Sequence, residues 1–114
     1  LSTIRMSKEC VRIKDYLDAN YAEHITLDTL MTLTHMSKYY LIHSFVKYNG
    51  YSPIQYLNKR RMDAACTLLT DTDLPISAVS SAAGFSSQSY FTQSFQKNYG
   101  LSPLKYRQKH TSRP

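Results

Sequence analysis

The 114-residue sequence predicts an all-α fold of seven helices, on three observations. Glycine appears only at positions 50, 84 and 100, and Pro53, Pro75 and Pro103 each stand at the head of a helix-like stretch, the punctuation expected of helices joined by short turns. No segment of strand length alternates with a period of two. Finally, the chain repeats itself: at an offset of 50, Gly50, Ser52, Pro53 and Tyr56 fall on Gly100, Ser102, Pro103 and Tyr106.

Each element follows from local pattern. From Lys8 to Tyr21, Val11, Ile13, Tyr16 and Leu17 recur at helical spacing among charged residues, predicting an amphipathic first helix. Thr26 can cap a short second helix carrying Leu27, Leu30 and Met31, and Ser37 a third with Leu41, Phe45 and Tyr48 inward. Ser52, Pro53 and Gln55 have the form of an N-cap, an N1 proline and a capping-box partner, opening a longer helix that runs to about Thr70. After a polar turn from Asp71 to Leu74, Pro75 starts a fifth helix through Ile76 and Val79. Gly84 and Phe85 interrupt it, Ser86 or Ser87 caps a sixth helix with Phe91 and Phe95 inward, and Pro103 opens a short seventh.

The repeat extends backwards through Phe45 on Phe95, Lys47 on Lys97, Ser44 on Ser94, Tyr40 on Tyr90 and Leu41 on Phe91. Upstream the offset drops to 49, pairing Leu27 with Ile76 and Leu30 with Val79. Each half is a short helix, a tight turn and a second helix, which is the helix-turn-helix arrangement, whose second helix can enter a DNA major groove. The expected organisation is one domain over 1–114, with one unit at about 8–52, a linker helix at about 53–70 and a second unit at about 71–110. A linker of about 18 residues spans roughly 27 Å. With the widths of the flanking units added, the two reading helices are expected near 34 Å apart, about one turn of B-DNA.

Composition narrows the partners. Fourteen Lys and Arg against eight Asp and Glu give a formal charge of +6, which favours polyanions, nucleic acid before an anionic membrane surface. Cys10 and Cys66 are far apart in predicted helices with no C-x-x-C pairing, so neither a disulfide nor a zinc site is expected, and a reducing, cytoplasmic setting fits. No apolar run approaches the roughly 20 residues of a membrane span, and a first residue of Leu1 reads as a fragment of a longer chain. An enzyme needs a nucleophile, a base or a metal set in one pocket. His24, His35, His43 and His110 are scattered without a ligand pattern, so no catalytic residue, metal or cofactor is expected. Asp15 and Asp18 read as a solvated face, as do Lys59 and Arg60. Tyr40, Tyr56, Tyr90 and Tyr106 stand at repeat-matched positions, which favours core packing over stacking on single-stranded nucleic acid.

The run Gly84-Phe85-Ser86, Gln88-Ser89-Tyr90-Phe91, Phe95, Lys97, Gly100, Ser102-Pro103 and Tyr106-Arg107 resembles the signature of the AraC/XylS transcription regulators. Tyr56-Leu57, Arg61-Met62, Ala65 and Leu68-Leu69 extend the resemblance into the linker, so that it covers nearly the whole chain. It implies that family's fold, binding to double-stranded promoter DNA, activation through contact with RNA polymerase, and an effector or dimerisation domain outside this segment. Two positions depart from the pattern, both in the first half: Met31 stands where a small residue is usual, and His35 where the turn has glycine. The second half keeps Ser80 and Gly84 there.

The candidate base-reading residues are Lys38, Tyr39, Ile42 and His43 in the first reading helix and Gln88, Ser89, Thr92 and Gln93 in the second. Ile42 suits a thymine methyl, His43 a guanine or an exocyclic amine according to tautomer, and glutamine the N6 and N7 of adenine. No arginine stands among them, which argues against bidentate guanine contacts. Ser37, Lys47, Ser87, Lys97, Arg61 and Lys105 are the candidate phosphate contacts, Arg61 having a structural role as its alternative. Ile42 and Val46 also admit another reading, an apolar patch that meets a protein partner, as in an all-helical interaction module with a basic face.

Overall fold

The computed structural model describes residues 3–111, and among these it contains seven α-helices and no strand. They are α1 (Thr3–Asn20), α2 (Leu27–Thr34), α3 (Lys38–Asn49), α4 (Pro53–Asp71), α5 (Ile76–Ala82), α6 (Gln88–Tyr99) and α7 (Pro103–His110). The chain divides into two compact units, the first ending at Arg60 and the second beginning at Arg61, so the divide falls inside α4. The linker helix is therefore not a bare spacer: Leu57 belongs to one core, and Met62, Ala65 and Leu69 to the other.

In the first unit, Cys10, Ile13 and Leu17 of α1 pack with Ile25, Leu30, Leu41, Phe45 and Leu57. α1 begins at Thr3, five residues before the periodic stretch that marks it in the sequence, and Val11 is exposed instead of lying on the inner face. Asp18 is no idle surface carboxylate. It accepts from the Tyr56 hydroxyl at 2.6 Å and from Arg60 Nε at 2.9 Å, tying α1 to α4, while Arg60 also lies over the Tyr21 ring. Lys14 makes a parallel tie, donating to Asn49 Oδ1 and to the Tyr51 hydroxyl.

In the second unit, Met62, Ala65 and Leu69 pack with Val79, Ala83, Phe85, Phe91 and Phe95. Phe95 sits among aromatic rings, with Phe91, Tyr99 and Tyr106 all at centroid distances of 4.6–5.6 Å. Such edge-on and tilted pairs add to the stabilisation from burial alone. Arg107 Nε donates to the Leu69 carbonyl at 3.0 Å, which closes α7 onto the end of α4.

The helix ends are capped as their sequences dictate. Thr26 and Thr29 form a reciprocal capping box on α2, and the Ser52 Oγ accepts the Gln55 N–H while Gln55 Oε1 accepts the Ser52 N–H at the head of α4. Ser37, Ser87 and Ser102 cap α3, α6 and α7, so Ser87 and not Ser86 starts the sixth helix. Pro75 is the residue before α5, where it supplies no side-chain cap.

The two turns differ as Met31 and His35 foretell. In the second unit the buried Ser80 hydroxyl donates to the Ser87 carbonyl, and Gly84 takes the left-handed conformation at φ 95°. In the first, Met31 is half-buried against the core and His35 holds φ 56°, the only positive φ outside glycine among the described residues. The buried Thr34 compensates: its hydroxyl donates to the Leu30 carbonyl at 2.8 Å and accepts the Met36 N–H. A side chain in the left-handed region costs roughly 1–2 kcal/mol, part of which glycine gives back as unfolded-chain entropy. His35→Gly is expected to stabilise the protein by about 0.5–1 kcal/mol, read as a higher midpoint in urea; a lower midpoint contradicts the strain at this turn.

The tie at Asp18 has an alkaline signature. Burial first, and then the hydrogen bond to Asp18, push the Tyr56 hydroxyl up to about 12, against an ordinary value of about 10. The stabilisation by neutral Tyr56 is thus complete below pH of about 10 and disappears as pH rises through about 12. Tyr56→Phe is expected to be less stable than wild type near neutral pH, with the difference shrinking across that window; a difference independent of pH contradicts this account.

Candidate nucleic-acid interface

Burying one face of a helix turns the opposite face outward, and both second helices obey this rule. In α3 the core takes Leu41, Ser44 and Phe45, leaving Lys38, Tyr39, His43, Val46 and Lys47 exposed and Ile42 half-buried. In α6 the core takes Phe91 and Phe95, leaving Gln88, Ser89, Gln93, Gln96 and Lys97 exposed and Thr92 half-buried. Each unit thus brings its own candidate base-reading residues onto one helix face.

The candidate phosphate contacts flank these faces. Ser37 Oγ accepts the Tyr40 N–H and Ser87 Oγ the Tyr90 N–H, each an exposed cap. A hydroxyl that accepts from its helix keeps its own proton to donate, and a phosphate oxygen is a suitable acceptor. Lys47 and Lys97 are exposed in the last turns of α3 and α6. Lys105 is exposed near the start of α7. Arg61 differs from these: it is half-buried, and burial lowers its guanidinium from the usual range, with Tyr90 acting in the opposite direction.

The carboxylates are distributed to match. All eight Asp and Glu residues lie in α1, α2, α4 or the connecting segments, so α3, α6 and α7 contain none. A polyanion meets no negative side chain on these three helices.

Two side chains that repeat equivalence assigns to the cores lie at the surface beside these faces. Tyr40 and Tyr90 are 55% and 51% exposed instead of packing in the cores. They precede the buried Leu41 and Phe91 by one residue, a step of about 100° around the helix, which carries them off the inner face. Repeat equivalence shows that two positions correspond, not that they are buried; helical phase against Leu41 and Phe91 was the signal available. Tyr56 and Tyr106 are half-buried against their cores, as expected.

The faces differ in chemistry. On α3, Tyr39 and His43 stack with ring centroids 4.2 Å apart, and the Tyr39 hydroxyl lies 3.2 Å from His43 Nε2. Met6 of α1 joins Tyr39, Ile42, His43 and Val46 in lining an open groove of about 710 Å³.

A helix-turn-helix domain model matches residues 30–109. The chain belongs to the AraC-type helix-turn-helix family of DNA-binding transcription regulators. It is 37% identical over 100 residues to the uncharacterized HTH-type transcriptional regulator YijO of Escherichia coli K12, covering 88% of this chain and 35% of that one. Among solved structures it is similar to the C-terminal domain of AraT, a response regulator from Geobacillus stearothermophilus, with a TM-score of 0.88 and 30% identity over 92% of this chain and 88% of that one. It is also similar to the DNA-binding domain of AdpA in complex with a target DNA, with a TM-score of 0.83 and 25% identity over 88% and 90% of the two chains. The chain spans about a third of the length of the first curated relatives it matches. No helix among the described residues is long and apolar enough to cross a membrane.

If Lys47 and Lys97 meet phosphates, each releases counterions from DNA without choosing a sequence. Lys47→Ala and Lys97→Ala are each expected to lower the slope of log affinity against log salt by about one and to weaken all duplexes alike; an unchanged slope removes them from the backbone contacts.

Proposed function

We propose that this chain is the DNA-reading part of a larger bacterial regulator, with α3 and α6 each entering a major-groove segment of promoter DNA, the two segments about one helical turn apart. The observation that carries this reading is the repeated pair of outward faces. Each lies on the second helix of its helix-turn-helix, starts behind a serine cap, ends near a lysine and contains no carboxylate.

Within that reading Lys38, Tyr39, Ile42 and His43 meet base edges in one half-site, and Gln88, Ser89, Thr92 and Gln93 in the other. Ser37, Lys47, Ser87, Lys97 and Lys105 meet phosphates, which set register without reading sequence. Half-buried Arg61, influenced by Tyr90, fits a packing role with a charge left for the backbone. Exposed Tyr40 and Tyr90 join the backbone contacts through their hydroxyls. The chain works as one domain, catalyses nothing itself and acts in the cytoplasm. Its output is activation through RNA polymerase, under control of an effector or dimerisation domain elsewhere in the protein.

A protein partner on the basic face is the competing reading, favoured by exposed Tyr39 and Val46. Selection of bound sites from random double-stranded DNA, with competitor at two salt concentrations, separates the two. The expected result is a pair of half-sites about one turn apart, with His43→Ala altering base preference in one and Gln93→Ala in the other. Binding without sequence preference once salt is raised would overturn the regulator reading, and a uniform loss in both variants would overturn the division of roles.

A further inference from the structure

We infer that α3 reads its half-site chiefly through thymine methyl groups, so that the two units recognise DNA by different chemistry. The inference rests on the DNA-reading function proposed above and concerns what the α3 face can recognise.

At an offset of 50, Tyr39, Ile42, His43 and Val46 of α3 correspond to Ser89, Thr92, Gln93 and Gln96 of α6. In α6 the set offers hydroxyls and amides, suited to the donors and acceptors of base edges. In α3 the same places carry rings and branched hydrocarbon. Val46 is exposed, Ile42 is half-buried against the core of its unit, and Met6 extends the apolar lining from α1. The one polar side chain in that α3 set with two ring nitrogens is partly committed, because His43 Nε2 already meets the Tyr39 hydroxyl and the two rings are stacked. What α3 presents to a groove is largely carbon.

The major groove offers one apolar feature to such a face, the C5-methyl of thymine. The surroundings select DNA as the occupant over an apolar peptide. Lys47 stands in the lining and Lys38 is exposed on the same helix, no carboxylate lines the groove, and the face occupies the positions that present the polar set in α6. A cationic surround with an apolar floor complements a phosphate backbone on either side of thymine methyls.

Uracil isolates this contribution, since it keeps the hydrogen-bonding edge of thymine and lacks only the methyl. The probe is the duplex selected above, bound by the intact chain, with the half-sites assigned by His43→Ala and Gln93→Ala. Replacing thymine by uracil in the α3 half-site is expected to weaken binding about fourfold for each methyl buried. In the α6 half-site the loss is confined to at most one position, the one opposite the Thr92 methyl. Val46→Ala, at an exposed position, is expected to reduce the thymine-over-uracil preference at one α3 position; Ile42→Ala, read the same way, reduces it at another. An α3 half-site that lacks thymine, or that binds equally with uracil while sequence-specific binding persists, overturns the inference and leaves the function standing. Equal losses in both half-sites also overturn it. Absence of any sequence preference overturns both the inference and the function beneath it.

Discussion

The helical period, applied to four buried side chains, is the constraint on which the rest depends. Leu41 and Phe45 of α3, and Phe91 and Phe95 of α6, are each fully buried and four residues apart. Once these pairs are inward, the direction of every other residue on the two helices follows from its angular distance to them. The candidate reading faces are therefore by-products of core packing, and their orientation is no looser than the cores. Truncating one of these phenylalanines, which ordinarily costs about 3–5 kcal/mol, would remove the reference against which a reading face is aimed.

The units share a plan and differ in how they hold it. The second ties its turn with Ser80 and a glycine, and packs Phe95 among three other aromatic rings. The first accepts a left-handed histidine beside Thr34, which bonds the neighbouring backbone, and ties α1 down through Lys14 and the Asp18–Tyr56–Arg60 group. Met31 and His35 thus stand in the unit that also holds these polar ties. Its candidate reading face is also the more apolar of the two, so turn and surface differ from the second unit in the same half.

Most of the architecture was legible because its signals are local. Caps at Thr26, Ser37, Ser52 and Ser102, the left-handed glycines, and the inward phenylalanines each depend on a few neighbouring residues and were readable in order. The misreadings share a different cause. Asp18 and Arg60 are 42 positions apart, and no local pattern shows that they meet. The start of α1 at Thr3 precedes the apolar periodicity that identifies the helix. Tyr40 and Tyr90 are equivalent in the repeat, which says nothing of burial, and their phase against the buried neighbours points outward. For the site, the sequence marked which helix faces are available, whereas the Tyr39–His43 stack and the participation of Met6 required tertiary placement.

The confinement of all eight carboxylates to other elements has a kinetic side. On α3, α6 and α7 no carboxylate is present to repel a phosphate backbone, whether the register is correct or incorrect. For a DNA-reading chain, such a surface favours weak, salt-sensitive residence on arbitrary duplex, from which sliding and hopping replace a fresh search from solution. The arrangement of charge that keeps carboxylates off the candidate faces thus also favours their encounter with a polyanion.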